Sequence, residues 1–94
     1  MKIRKKEIID KFSIKHADST NALQHWADAV KEAEWKSHSD IKVDFPSADY
    51  IGKGRYVFNI KGNNYRLIVV IVFITGSVIV DFVGTHSEYD KLKL

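Results

Sequence analysis

The chain has 94 residues, 45% of them hydrophobic and 12% aromatic, and a formal net charge of +3. This is the composition of a single small folded domain, 1–94, with room for one modest core and none for a second. It contains no cysteine, which excludes disulfides and thiolate metal sites.

The opening stretch, MKIRKKEIIDKF, is too charged to hold the apolar region of a secretory signal. Within it Ile8, Ile9 and Phe12 fall on one helical face and predict a short helix over about 4–14. Asp18, Ser19 or Thr20 then offers a cap for a second helix, whose buried face is Leu23, Trp26, Ala27, Val30 and Ala33. Trp26 and Trp35 lie in or just after this helix, where packing against a sheet accounts for them better than stacking on a ligand. A helical turn is expected over 39–44, stopped by Pro46.

From Asp49 the period shortens. DYIG, RYVFNI, YRLIVVIVFI and VIVDFV are rich in β-branched and aromatic residues, and glycine- and asparagine-bearing turns separate them. The pattern is α+β: two N-terminal helices packed on a mainly antiparallel sheet of about four strands. The longest uncharged apolar run, Leu67 to Val80, is too short for a membrane helix and is broken by Thr75-Gly76-Ser77. A soluble cytoplasmic protein without membrane contact is expected. The third strand is apolar on both faces, with Leu67, Val69, Ile71 and Phe73 on one and Ile68, Val70, Val72 and Ile74 on the other. Helices cover only one face, so a partner chain or a second copy is expected on the other.

Residues 51–66 carry Lys53, Arg55, Lys61 and Arg66 and no acid. Such a hairpin suits an anionic ligand, and equally suits a solvated edge that resists aggregation. In a strand meander, the end of the second strand, the start of the third and the end of the fourth share one sheet edge. Asn59, Lys61, Arg66 and His86 therefore converge. The tail THSEYDK adds Glu88, Tyr89, Asp90 and Lys91, and Gly84 is expected to let the chain turn into it.

Those parts suffice for metal-free RNA cleavage. RNA brings its own nucleophile in the 2′-OH; a histidine moves a proton near neutrality, and an arginine holds phosphate bidentately. Tyr89 has the chemistry to stack on a base. On the residues alone, His86 fits either that role or a mere tie between chain end and sheet. No metal or cofactor is expected: the alternating His86, Glu88 and Asp90 make poor tetrahedral ligands. His16, His25 and His38 have no partner pattern and read as bystanders.

The runs SDIKVDFPSADYIGKGRYVFNIKGNNYRLIV and DFVGTHSEYDKL closely resemble the HigB toxins of the RelE-like superfamily, from type II toxin–antitoxin systems. The resemblance implies an endoribonuclease, an mRNA interferase that cuts message on the ribosome without metal. It also implies a cognate HigA-type helix-turn-helix antitoxin, through which alone the toxin meets operator DNA. By motif position Arg66 matches the superfamily's phosphate-binding arginine, His86 a catalytic basic residue and Tyr89 a functional tyrosine. Lys53, Arg55, Asn59, Lys61 and Lys91 are the accompanying candidates for RNA contact. Val57 and Asn59 stand where the RelE branch has lysines, although asparagine is usual in the HigB branch. Val70 and Asp81 stand where HigB-like sequences commonly carry a basic residue, which leaves open a catalytically weakened co-repressor module. A generic RNA-binding domain off the ribosome ranks third.

Overall fold

The computed structural model of the protein describes residues 1–92. Its elements in chain order are strand β1 (Lys2–Arg4), helix α1 (Glu7–Lys15), a 3-10 turn (Ala17–Ser19), helices α2 (Thr20–Glu32) and α3 (His38–Asp44), strands β2 (Asp49–Gly52), β3 (Arg55–Ile60), β4 (Tyr65–Val72) and β5 (Ser77–Thr85), and a last helix α4 (His86–Asp90). The α+β class expected from the sequence is the class observed. The sheet has five strands rather than four, in the order β1-β5-β4-β3-β2.

The added strand is β1, for which the sequence pattern predicts no element except at Arg4, the first residue of the helix expected over about 4–14. It pairs parallel to β5, Lys2 with Ser77 and Arg4 with Ile79, while the other three pairings are antiparallel. Its two cations face solvent and Ile3 packs against the core. Lys5, with φ at 58°, breaks the backbone between β1 and α1. Three residues are too few to show a period of two, and their partner lies across the whole intervening chain. The third strand ends at Val72, earlier than expected, leaving Ile74 in the turn and 94% exposed. The tail beyond β5 is helical.

Leu23, Trp26 and Val30 of α2 and Ile9 of α1 close over Tyr56, Phe58, Leu67, Val69, Ile71, Val78 and Val80 from the sheet. Phe58 is the hub of an aromatic cluster, with ring centroids 5.0 Å from Phe45, 5.6 Å from Trp26 and 6.5 Å from Trp35. Trp35 donates Nε1–H to Asp44 at 2.8 Å. Both tryptophans therefore belong to the core. Asp18 does not cap α2; its carboxylate instead accepts from the Tyr65 hydroxyl and from Lys61.

The opposite sheet face is apolar too. Val57 and Ile68 pair across β3 and β4, each 2% exposed, and stand outside the helix-packed cluster. Neighbouring side chains thus shield the middle of the face expected to need a partner, leaving Val70, Val72, Ile79 and Phe82 half-exposed. In β5 the pairing jumps from Ile68↔Phe82 to Val69↔Val80, so Asp81 is an exposed bulge residue. The bulge resets the alternation: Val78, Val80 and Val83 face the helices, whereas Phe82 and Gly84 face outward.

Leu67 is fully buried in the central strand, so Leu67→Ala should cost about 2–5 kcal/mol in urea unfolding. Ile74→Ala should stay within about 0.5 kcal/mol of the wild type in the same measurement.

Candidate active site

Register places Arg66 of β4 directly between Asn59 of β3 and Gly84 of β5, on the outward face. Two residues beyond Gly84 the chain enters α4. Its start is fixed by a reciprocal cap: Glu88 donates its backbone N–H to Thr85 Oγ1 at 3.1 Å, and Glu88 Oε1 accepts from Thr85 N–H at 2.8 Å. That backbone hydrogen bond holds the Glu88 carboxyl below its ordinary range, against a smaller opposing effect of burial. The His86 N–H also donates to the Asn64 carbonyl at 3.3 Å, tying α4 to the β3–β4 turn.

The short helix carries three groups to one place. Arg66 Nη2 lies 3.1 Å from His86 Nε2, and His86 Nδ1 lies 3.0 Å from Asp90 Oδ2, one helical turn on. The Tyr89 ring centroid lies 5.1 Å from Arg66 Cζ, a cation–π distance. A guanidinium only donates hydrogen bonds, so Nε2 is the acceptor in this arrangement and the imidazole proton sits on Nδ1, donated to Asp90. One imidazole nitrogen is thus oriented by a carboxylate and the other presented beside a fixed cation.

Arg66 is half-buried, yet among the described residues no carboxylate pairs with it. Its Nε and the cross-strand Asn59 Oδ1 are both buried without a hydrogen-bond partner. Arg66 is thus a cation partly withdrawn from water with only an imidazole nitrogen and a π-face for company, an arrangement with the chemistry to accept an anion.

The other basic candidates are distributed more widely. Arg55 opens β3, four residues or about 13 Å along the strand from Asn59. Its Nε donates to the Gly52 carbonyl at 3.3 Å, and it stands opposite Val70. Lys53 is exposed in the preceding turn. Lys61 pairs with Asp18 at 2.9 Å, and no hydrogen bond joins it to Arg66 or His86. Lys91 follows α4 and is exposed. Asp81, in its bulge, makes no ion pair among the described residues; Arg66 turns to His86 and Tyr89 instead.

Asp90 was missing from the residues assigned roles by sequence reasoning. Its signal was present: Thr85-His-Ser-Glu88 spells a capping box, and a helix starting there puts Asp90 at i+4 from His86. Glu88, turned back onto Thr85, is not available to join His86 and Asp90 around a metal. Gly84 does not serve as a left-handed hinge. A Cβ there would sit 2.5 Å from Phe82 Cζ, so glycine answers to space rather than to backbone freedom.

A family model described as HigB_toxin, the RelE-like toxic component of a toxin–antitoxin system, matches residues 19–92. The chain belongs to the HigB toxin family. The mRNA interferase HigB of Escherichia coli O6:H1 (strain CFT073) is 30% identical over 98% of this chain and 91% of its own length. The mRNA interferase toxin HigB of Escherichia coli K12 is 30% identical over 81% of this chain and 75% of its own. The HigB match takes in Asn59, Arg66, His86, Tyr89 and Asp90, the whole of the cluster just described. No helix among the described residues is long and apolar enough to cross a membrane.

In ¹⁵N spectra at neutral pH, His86 should show the Nδ1–H tautomer, and Asp90→Ala should shift it toward Nε2–H. Unchanged tautomer populations would remove Asp90 from its orienting role. Glu88 supplies the pH test. Because its folded pKa is depressed, the cap is intact above the ordinary carboxyl range and is lost as pH falls through the lowered value. The Thr85 amide shift should therefore titrate with a midpoint below 4.5.

Proposed function

We propose that this chain is the toxin of a type II toxin–antitoxin pair and acts as a ribosome-dependent mRNA interferase in the cytoplasm. The observation that carries the reading is the Arg66 guanidinium, without a carboxylate partner among the described residues and 3.1 Å from His86 Nε2. A scissile phosphate satisfies both. It takes over the Arg66 donors, including the unpartnered Nε–H, and releases Nε2 from Arg66 to face the neighbouring ribose.

The 2′-oxygen then attacks phosphorus and the P–O5′ bond breaks. The 2′-OH proton passes to His86 Nε2, and O5′ receives a proton from water. The products are a 2′,3′-cyclic phosphate and a 5′-hydroxyl. Asp90 stabilises the imidazolium as it forms, and Arg66 stabilises the charge growing on the phosphorane. The substrate supplies the nucleophile and the guanidinium supplies the charge, so the step needs no metal. Tyr89 holds Arg66 from its other side and has a face to offer a base. Asn59 stands in the same row; Arg55, Lys53 and Lys91 lie further out, where they attract the RNA backbone.

The partner in this reading is a HigA-type helix-turn-helix antitoxin, which brings the complex to operator DNA. A second reading, a weakened homologue kept as co-repressor, is favoured by Val70 and by the exposed carboxylate of Asp81. Arg55 opposite Val70 restores a cation to that row, and Asp81 does not neutralise Arg66, so the catalytic reading stands ahead.

The test is a brief pulse of expression with message 5′ ends mapped beside Arg66→Ala and His86→Ala. Each variant should lose about 10²–10⁴-fold in cutting while melting within a few degrees of the wild type. Cuts that persist in both variants refute the site. Antitoxin binding without any cuts favours the co-repressor.

A further inference from the structure

The outward face of the sheet carries a second row beside the catalytic one. Val57, Ile68 and Phe82 are paired across β3, β4 and β5, and the next row along is Asn59, Arg66 and Gly84. Val57 and Ile68 form a closed apolar floor, each 2% exposed. Phe82 ends the row half-buried, and it belongs neither to the helix-packed core nor to any of the aromatic pairs in the fold. A ring that the core does not use therefore stays accessible next to a cation that no carboxylate neutralises.

The placement of that ring is specified locally. A Cβ on Gly84 would lie 2.5 Å from Phe82 Cζ and 3.1 Å from Cε2. The ring is thus laid along β5 over Gly84, and Gly84 stands directly opposite Arg66. The bulge at Asp81 is what turns Phe82 to this face. Adjacent rows on a sheet face are about 7 Å apart, a span that one nucleotide bridges from phosphate to base.

We propose that Phe82, laid over Gly84 on the Val57–Ile68 floor, is a stacking subsite for the nucleobase adjoining the phosphate held at Arg66. The inference rests on the RNA-cleaving reading above and extends it to the ligand's base. Single-stranded RNA presents unstacked bases, and an aromatic face beside a phosphate-binding cation is how such bases are held. Val57 and Ile68 continue the row beside the ring as apolar surface, and Tyr89 faces Arg66 from α4.

The experiment compares wild type, Phe82→Leu, Phe82→Tyr and Arg66→Ala in pulse expression, with mapped message 5′ ends and melting temperatures of the purified proteins. Phe82→Leu should cut about tenfold less per molecule and with a flatter base distribution at one position beside the cut. Phe82→Tyr, which keeps the ring, should cut at close to the wild-type rate. A Phe82→Leu protein with wild-type rate and base distribution overturns the subsite. So does equal loss in both Phe82 variants in step with their melting temperatures, which marks the ring as structural. If the wild type itself makes no cuts that vanish in Arg66→Ala, the cleavage reading falls and the subsite with it. An active wild type with an indifferent Phe82→Leu sinks the subsite alone.

Discussion

A guanidinium set into the central strand of an apolar sheet must be met by its surroundings, and most of the outward face is arranged around that demand. Arg66 has Asn59 and Gly84 beside it across the strands, His86 at 3.1 Å and the Tyr89 ring above it. None of these carries a negative charge. An aspartate in the same place would close the site with a salt bridge; an imidazole nitrogen and a π-face hold the side chain in position and leave its charge available.

Several features that look incidental follow from the same constraint. A five-residue helix does not form alone, so the capping box of Thr85 and Glu88 fixes its start, and only a helix starting at His86 brings His86, Tyr89 and Asp90 together beside Arg66. The bulge at Asp81 turns the end of β5 so that Gly84 faces Arg66 and Phe82 lies outward. Glycine at 84 leaves room for the Phe82 ring. The helix-packed core under Leu67 and Val69 fixes β4, and with it the position of Arg66, with little freedom to drift.

How much of this was legible in the sequence depended on the range of the interactions. α2 runs for thirteen residues with a clean apolar face, so its period announced it. The convergence of Asn59, Arg66 and the β5 end followed from strand alternation in a meander, since antiparallel neighbours pair by local turns. β1 was not legible, because three residues carry no period and their partner is β5 at the other end of the chain. The bulge was equally silent: nothing in VIVDFV says that Asp81 is the unpaired residue, and without it the facing of Phe82 and Gly84 comes out reversed. Asp90 lay between these cases, encoded by a capping box read as a polar tail. The spread of the basic hairpin was not legible either: Lys61 is engaged by Asp18, and Arg55 sits at the far end of β3 from Asn59.

In the proposed mechanism the 2′-oxygen of the substrate is the nucleophile, with Arg66, His86 and Asp90 serving that attack. The chemistry of the cut ends tests this most directly. Message fragments made during a short pulse of the protein should carry 5′-hydroxyls, joining to an adaptor only after phosphorylation, with 2′,3′-cyclic phosphate on the upstream fragment. Fragments with 5′-phosphate and 3′-hydroxyl ends would mean that water, not the ribose, attacks phosphorus, and would contradict the roles given to all three residues.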